Sequence, residues 1–293
     1  MKNSILDTVG NTPLVRAKSV LQKEGVELYF KLEGHNPGGS VKDRAAKNMI
    51  IAAMERGAIK KGDTIVEATS GNTGIALALI AGQVGVQMKL IMPENATIER
   101  VKTMQAYGAE VILTSEEGGI EGSRDLAESM AKEHGYYQLN QFANDDNWQA
   151  HFKTTGPEIW EATNHQVTHF VSAMGTTGTI MGTSTFLKAK NNNIQIIGAQ
   201  PTDGSSIPGI RKWPEAYLPK IFDAKKVDQV FEVSETEAKV MAKRLAQEEG
   251  IFSGMSSGGA AAVALKLAET IDKGLIVSIV CDRGDRYLSS DLF

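Results

Sequence analysis

One lysine in a glycine-rich segment is the feature of the sequence that points most directly to covalent chemistry. Lys42 lies in the run Asn36-Pro-Gly-Gly-Ser-Val-Lys-Asp-Arg44, where a stretch of helical periodicity begins. Ser40 and Asp43 have the spacing of a capping box, which would start the helix at residue 41 or 42 and make Lys42 an exposed first-turn lysine. A cation in the first turn opposes the helix dipole, which lowers the pKa of the amine and favours attack on a carbonyl. Lys42 is therefore either a surface lysine or a Schiff-base lysine.

Three loops rich in glycine and hydroxyl groups are candidate anion sites. They span residues 69–74 (Thr-Ser-Gly-Asn-Thr-Gly), 175–179 (Gly-Thr-Thr-Gly-Thr) and 252–259 (Phe-Ser-Gly-Met-Ser-Ser-Gly-Gly), and each opens a predicted helix. Free N–H groups and the dipole at a helix N-terminus favour a phosphate or carboxylate. Tight turns alone could explain any one of these loops, but three in one chain favour ligand binding. Neither G-x-x-x-x-G-K-[ST] nor a strand-anchored G-x-G-x-x-G occurs, which disfavours ATP and dinucleotides.

The elements that must position these loops follow from the hydrophobic pattern, in which short β-branched runs alternate with longer helical periods. The predicted strands span residues 27–32, 64–68, 88–92, 110–114, 136–140, 168–173, 194–199 and 275–280. The predicted helices span residues 43–56, 73–83, 98–107, 120–133, 148–162, 179–189, 236–248 and 259–271. This alternation predicts an α/β fold with mostly parallel sheets. The longest irregular connection, residues 201–219, has a length that is more often functional than idle.

Composition excludes several classes of protein. The 293 residues carry 31 Lys and Arg against 35 Asp and Glu, without the basic excess typical of nucleic-acid binding. The only cysteine, Cys281, cannot form an internal disulfide or a cysteine-based zinc site. His165 and His169 are four apart at a strand entry, which does not predict a metal site. No apolar run is long enough for a signal peptide or a membrane span, so a cytoplasmic protein is expected.

The motifs together resemble the fold-type II pyridoxal phosphate enzymes, and among them the cysteine synthases (O-acetylserine sulfhydrylases). The similarity covers essentially the whole chain and follows the family's order, through residues 10–14, 37–44, 69–74, 175–179 and 254–258. Three features are more similar to the B type of these enzymes than to the A type: residues 209–214 (Gly-Ile-Arg-Lys-Trp-Pro), the ending 281–287 (Cys-Asp-Arg-Gly-Asp-Arg-Tyr) and the short C-terminus.

The resemblance implies two three-layer α/β domains, similar to the tryptophan synthase β subunit, with the cofactor in the cleft between them. Residues 1–12 and 35–146 would form a smaller, mobile domain that carries the substrate-binding loop. Residues 13–34 and 147–293 would form a larger domain that binds the cofactor. Closure of the cleft over the substrate would exclude water. A homodimer is implied as well.

The resemblance also implies a role for each matched residue. Lys42 would hold pyridoxal phosphate through a Schiff base and then remove the Cα proton of the substrate. The phosphate would be cradled by Gly175, Thr176, Thr177, Gly178 and Thr179. Asn72 would bond to the ring hydroxyl of the cofactor, and Ser256 would meet the pyridine nitrogen. The substrate carboxylate would be held by Thr69, Ser70, Thr73 and Gln141.

The implied reaction is a β-replacement, in which O-acetyl-L-serine loses acetate and sulfide or thiosulfate adds, giving L-cysteine or S-sulfocysteine. Arg211, Lys212 and Cys281 are candidates for the sulfur-donor side. The family pattern expected here is Arg-Arg-Trp-Pro, and Lys212 lacks the guanidinium fork of the second arginine. Otherwise, Cys281 would be small core filler and Arg211 and Lys212 a solvated loop pair.

Two other hypotheses remain open from the sequence. One is a pyridoxal phosphate enzyme of cystathionine β-synthase or serine/threonine dehydratase type, although the chain has neither a regulatory C-terminal domain nor a haem-binding extension. The other is a non-catalytic binding module that has kept the fold. The presence of Lys42, Asn72 and Ser256 counts against this second hypothesis.

Overall fold

The computed structural model describes residues 1–69 and 71–293, which form two sheets with their helices. The strands are β1 (Leu14–Arg16), β2 (Val26–Leu32), β3 (Thr64–Ala68), β4 (Gln87–Pro93), β5 (Glu110–Thr114), β6 (His169–Ala173), β7 (Gln195–Pro201), β8 (Gln229–Val233) and β9 (Gly274–Val280). The helices are α1 (Lys42–Glu55), α2 (Asn72–Val84), α3 (Ile98–Ala106), α4 (Gly119–His134), α5 (Asp145–Lys153), α6 (Thr155–Ala162), α7 (Gly178–Lys190), α8 (Glu235–Glu249) and α9 (Met255–Thr270).

The larger sheet has six strands in the order β1-β2-β9-β6-β7-β8. Only β1 runs antiparallel to its neighbour, so this sheet is otherwise parallel. One face packs against α8 and α9 and the other against α6 and α7. Because both faces are covered, β9 is a nearly continuous apolar run rather than an alternating one.

The smaller sheet consists of the parallel strands β3, β4 and β5, in that order. Helices α1 and α2 cover one of its faces, and α4 packs on the other. Most of α2 is buried, which explains why it is apolar around its whole circumference. The predicted α/β fold with mostly parallel sheets is therefore confirmed.

The predicted strand over residues 136–140 is wrong. This segment makes a single bridge, between Tyr137 and Ile65, and then leaves the sheet. The carboxylate of Glu67 accepts hydrogen bonds from the amides of Leu139 and Asn140, which a strand would use for pairing. Asn140 also has a left-handed backbone, with φ of 52°, which is incompatible with a strand.

The single helix predicted over residues 148–162 is two helices, α5 and α6, which meet at Thr154. Pro157 explains the break, since it has no N–H to donate to the carbonyl of Lys153 and its ring would clash there. Helix α9 begins four residues earlier than predicted, so Ser256 lies in its first turn.

The strands β1 and β8 were missed by the sequence pattern. Both are edge strands with largely exposed side chains, so neither carries a buried apolar face. In the described part of the chain, no helix is both long and apolar enough to cross a membrane.

Candidate active site

A cavity of about 230 Å³ lies beyond the carboxyl ends of β3 and β6, where the predicted lysine and two of the glycine-rich loops meet. The carboxyl ends of parallel strands are the usual ligand-binding edge of such sheets. Its wall includes Lys42, Thr69, Gly71, Asn72, Thr73, Arg100, Arg124, Gln141, Phe142, Gly175, Thr176, Gly209, Arg211, Trp213 and Tyr287. Most of the predicted site residues therefore share one cavity.

Lys42 is the first residue of α1 and is partly buried, not the exposed lysine of the capping-box interpretation. The predicted capping box is wrong, because the carboxylate of Asp43 accepts instead from the amide of Gly38. The left-handed Gly39, with φ of 81°, turns the chain so that this amide faces α1. Burial lowers the pKa of the Lys42 amine, and only in part do Cys281 and Asp282 oppose this. The neutral, nucleophilic form is favoured as a result.

The loop that opens α7 has the properties of an anion cradle. Thr177 adopts a left-handed backbone with φ of 70°, and its hydroxyl is buried without a partner among the described residues. Such strain in a β-branched residue persists where the surroundings demand it, often at ligand clamps. A Cβ on Gly175 would lie 2.6 Å from the carbonyl oxygen of Gly209, and one on Gly178 would lie 2.0 Å from Oδ1 of Asn147. Only glycine fits at both positions.

Neighbouring side chains fix the two other hydroxyls of this loop. Nδ2 of Asn147 donates to Oγ1 of Thr176 over 3.2 Å. Oγ1 of Thr179 lies 3.3 Å from Nε2 of His151. Burial lowers the pKa of His151 to about 3, so this imidazole is neutral. The attraction for an anion therefore comes from the N-terminus of α7, where the first amides have no helical partner.

Asn72 and Ser256 each lie in the first turn of a helix, and of the two only Asn72 lines the cavity. Asn72 begins α2, and its amide is held between Asp282 and Arg286, both at 2.6 Å. Ser256 is buried next to Gly209. A Cβ added to Gly209 would lie 3.3 Å from Oγ of Ser256. The close approach of a glycine leaves the Ser256 hydroxyl near the cavity wall.

The residues expected to hold a carboxylate are together where the structure describes them. Thr69, Thr73 and Gln141 all line the cavity. The hydroxyl of Thr73 donates to Oε1 of Gln141 over 2.9 Å. Ser70 lies outside the described residues.

The three sulfur-donor candidates are not brought together. Arg211 lines the cavity, with its guanidinium 5.2 Å from the ring centre of Trp213. The ammonium of Lys212 points away, to Asp203 and Glu232 at 2.8 Å each, in an outer cavity of about 760 Å³. These two carboxylates raise the pKa of Lys212.

Cys281 lies close to Lys42 and Ser256, at the end of β9. Burial raises the pKa of its thiol to about 12, so the uncharged thiol is the stable form. The backbone of this residue joins two of the loops, because its carbonyl accepts from Val41 and its amide donates to Oγ of Ser257.

The sequence pattern missed a stack of side chains at the mouth of the cavity. The guanidinium of Arg124 lies 5.1 Å from the ring of Phe142, which meets Trp213 edge to face at 5.4 Å. The guanidinium of Arg211 also lies over the ring of Trp213. The stack joins α4 to the long connection after β7. No motif surrounds Arg124, and only its position in three dimensions identifies it.

A lysine with a lowered pKa and a glycine-rich loop at a helix N-terminus share one cavity, and this combination suits an enzyme that holds an anionic carbonyl cofactor. The chain belongs to the family of pyridoxal-phosphate dependent enzymes, whose model matches residues 5–282. The hydroxyl of Thr177, which has no partner in the described part of the chain, fits this cofactor together with the glycines of the cradle and the amine of Lys42.

Within this family, the chain is similar to cysteine synthases. The chain is 56% identical to cysteine synthase B of Pseudomonas aeruginosa, over 99% of this chain and 97% of the relative. It is 54% identical to cysteine synthase B of Escherichia coli, over 99% and 96%. The solved cysteine synthase of Entamoeba histolytica matches with a TM-score of 0.95 and 38% identity, over 100% of this chain and 91% of that one. The predicted resemblance to the cysteine synthases, and to their B type, is confirmed.

Proposed function

We propose that this protein is a cysteine synthase that converts O-acetyl-L-serine and a sulfur donor to L-cysteine and acetate with pyridoxal phosphate. The observation that carries the proposal is the meeting of Lys42, the cradle of α7 and the Thr73–Gln141 pair around one cavity. An amine, a phosphate site and a carboxylate site are the minimum that such a reaction requires. The identity of 54–56% to cysteine synthases B supports the choice of substrate.

The cofactor, when bound, supplies an electron sink for negative charge at Cα of the amino acid. Residues 175–179 would hold its phosphate, Asn72 its ring oxygen and Ser256 its pyridine nitrogen. Ser256 offers a hydroxyl, which cannot keep that nitrogen protonated as a carboxylate would, and this favours prompt elimination. Lys42 would hold the cofactor through its amine and would then, in its neutral form, remove the Cα proton.

Thr69, Ser70, Thr73 and Gln141 bind the substrate carboxylate. The Thr73 hydroxyl now donates to Gln141, and it would turn toward a carboxylate that entered the cavity, because a bond to a charged acceptor is the stronger one. This contact orients Cα toward Lys42. Acetate would then leave from Cβ, the sulfur donor would add at the same carbon, and Lys42 would return its proton to Cα.

Arg211 and Cys281 are the donor-side residues of this proposal. Arg211 lines the cavity, and the uncharged Cys281 thiol lies beside Lys42. Lys212 would reach a donor only by giving up its ion pairs with Asp203 and Glu232. A comparison of kcat/KM for sulfide and thiosulfate, in wild type and Lys212→Arg, tests its contribution. An unchanged ratio would remove Lys212 from the donor site.

The domain division is part of the proposal. The three-stranded sheet lies wholly within the proposed mobile domain, residues 1–12 and 35–146. The six-stranded sheet comes entirely from residues 13–34 and 147–293. Closure of the first on the second would exclude water from the reacting carbons. We also propose that the protein is cytoplasmic and that it forms a homodimer. Light scattering can test the homodimer.

Purified protein loaded with pyridoxal phosphate tests the function. We expect a visible absorption band that is lost in Lys42→Ala, and cysteine formation from O-acetylserine and sulfide that falls by about 10²–10⁴-fold in the same variant. Parallel reactions with thiosulfate and with homocysteine identify the preferred nucleophile by mass spectrometry. Cystathionine as the main product would instead favour the cystathionine β-synthase type. An O-acetylserine dependent cystathionine β-synthase from Helicobacter pylori has a solved structure that is 33% identical to this chain. It matches with a TM-score of 0.91, over 100% of this chain and 99% of that one. A protein that stays colourless with added cofactor would contradict both.

A further inference from the structure

The carboxylate of Asp282 is the centre of a buried hydrogen-bond network. Its Oδ2 accepts from Nδ2 of Asn72 and from the hydroxyl of Tyr287, both at 2.6 Å. Its Oδ1 accepts from the amide of Gly254 at 3.2 Å and from Oγ of Ser257 at 3.4 Å. One side chain near the end of the chain therefore contacts two of the three glycine-rich loops.

Arg286 approaches Asn72 from the opposite side. Its Nη1 donates to Oδ1 of Asn72 over 2.6 Å, and its Nη2 donates to the carbonyl oxygen of Gly38 over 2.8 Å. Arg286 is buried, so both bonds are shielded from water. Charge-assisted bonds of this kind are stronger than neutral ones.

These contacts fix the direction of the Asn72 amide. A reversed amide would place its NH₂ against the guanidinium of Arg286 and its oxygen against the carboxylate of Asp282, which are two repulsive pairs. In the observed orientation the oxygen and one N–H are used. The second N–H remains for a ligand in the cavity that Asn72 lines.

We propose that Asp282 and Arg286 are positioning residues that hold Asn72 as a hydrogen-bond donor toward the ring oxygen of pyridoxal phosphate. This inference rests on the proposed function. A donor at that position favours the ionised ring oxygen over the hydroxyl. Asp282 and Arg286 thereby act on the electronic state of the cofactor, although they contact it only through Asn72.

The test uses the cofactor-loaded enzyme and its absorption spectrum. An ionised ring oxygen favours the long-wavelength band of the bound cofactor over the short-wavelength band. Asp282→Asn keeps the shape of the side chain but removes its charge, and Arg286→Lys keeps the charge but reaches only one of the two acceptors. We expect each to lower the ratio of the two bands at least twofold and to weaken cofactor binding about tenfold. Arg283→Gln, an exposed neighbour, should leave both unchanged.

A double-mutant cycle separates this role from a structural one. In the Asn72→Ala background, Arg286→Lys and Asp282→Asn should no longer change the band ratio, since they act through Asn72. Equal changes with and without Asn72 would overturn the inference, and so would a wild-type band ratio in both single variants. If Asp282→Asn fails to fold, the Arg286→Lys cycle decides alone. The proposed function stands or fails separately, on the visible band and the cysteine product of the wild type.

Discussion

Lys42 lowers the stability of the cofactor-free enzyme. Burial disfavours its ammonium, so the pKa of Lys42 is lower in the folded chain than in the unfolded chain. Between the folded pKa and 10.5 the unfolded chain binds more protons, and stability rises with pH over that interval. Below the folded pKa both states bind the proton, so the full cost of burying the ammonium remains. A nucleophile that is activated by burial thus weakens its own fold.

Lys42→Met should therefore raise the melting temperature of the cofactor-free enzyme at pH 7, by about 2–4 °C for each kcal/mol of relieved burial cost. The difference from wild type should shrink as the pH approaches 10.5, where the ammonium is lost in both states. Calorimetry across this range measures it. The exposed Lys60→Met is the matched control and should shift little. A lower melting temperature in Lys42→Met would contradict the burial argument.

Asp43 gives stability a pH dependence of the opposite sign. Burial raises the pKa of its carboxyl to about 7, and one of its oxygens has no partner among the described residues. Between the unfolded value near 3.8 and 7 the folded chain binds more protons, so this group's contribution falls as pH rises.

Asp43→Asn should remove this dependence, because the amide stays neutral and its oxygen can still accept from Gly38. At 1.36 kcal/mol per pH unit, wild type should lose at most about 3 kcal/mol relative to the variant between pH 5 and pH 7. Urea unfolding of the cofactor-free proteins at the two pH values measures the difference. Parallel stability profiles would show that the carboxyl is already ionised at pH 5.

At the scale of elements, close helix contacts depend on single glycines. A Cβ on Gly182 of α7 would lie 2.0 Å from the carbonyl oxygen of Trp148 in α5. Because that neighbour is backbone, the two helices would have to move apart. We expect Gly182→Ala to cost about 1–3 kcal/mol in the free energy of unfolding.

Gly122 of α4 provides the matched control, since nothing lies within 4 Å of a Cβ at that position. Gly122→Ala should stabilise the protein by about 0.5–1 kcal/mol through helix propensity alone. Denaturation of the two variants side by side measures both effects. Equal effects of the same sign would mean that the α5–α7 approach is not limiting.

Elements with strong local signals were predictable, and those set by tertiary contacts were not. The loop before α7 carries its glycines and hydroxyls in five consecutive residues, so the sequence alone indicated an anion site. Strand β8 lies exposed at a sheet edge and carries no buried face to recognise. The segment 136–140 has a strand-like composition, but its amides at Leu139 and Asn140 donate to the carboxylate of Glu67 instead of to a neighbouring strand.

The same limit applies to the site at the scale of the whole molecule. Lys42 and Asn72 lie in local motifs, whereas Asp282 and Arg286 reach Asn72 across 210 and 214 residues. No spacing rule joins such positions. Lys212 was expected near the donor, but its partner Glu232 comes from β8, a strand that was not predicted.

A buried ion cluster joins α1 to α6 and to β2 of the larger sheet. Glu158 of α6 accepts from Arg44 at 2.6 Å and from Lys31 of β2 at 2.7 Å, and Arg44 also pairs with Glu33 at 2.6 Å. Two cations thus balance two carboxylates. These partners, Arg44 above all, offset burial and hold the pKa of Glu33 at about 2. Its contribution to stability is full above pH 4.5 and is lost as pH falls toward 2.

Glu158→Gln should be strongly destabilising, because it leaves two buried cations with a single carboxylate. The expected cost is about 3–5 kcal/mol at pH 7, measured by urea unfolding. Glu161→Gln on the same helix removes an exposed contact to His165 and should cost about 0.5 kcal/mol or less.

The pKa of Glu158 is lowered by Arg44 and Lys31, so the penalty of Glu158→Gln should persist at pH 5 and shrink only in more acidic solution. Arg44 follows Lys42 by two residues in α1, so loss of the cluster should also weaken cofactor binding. A stable Glu158→Gln protein with normal cofactor affinity would show that α1 is held by its apolar packing alone.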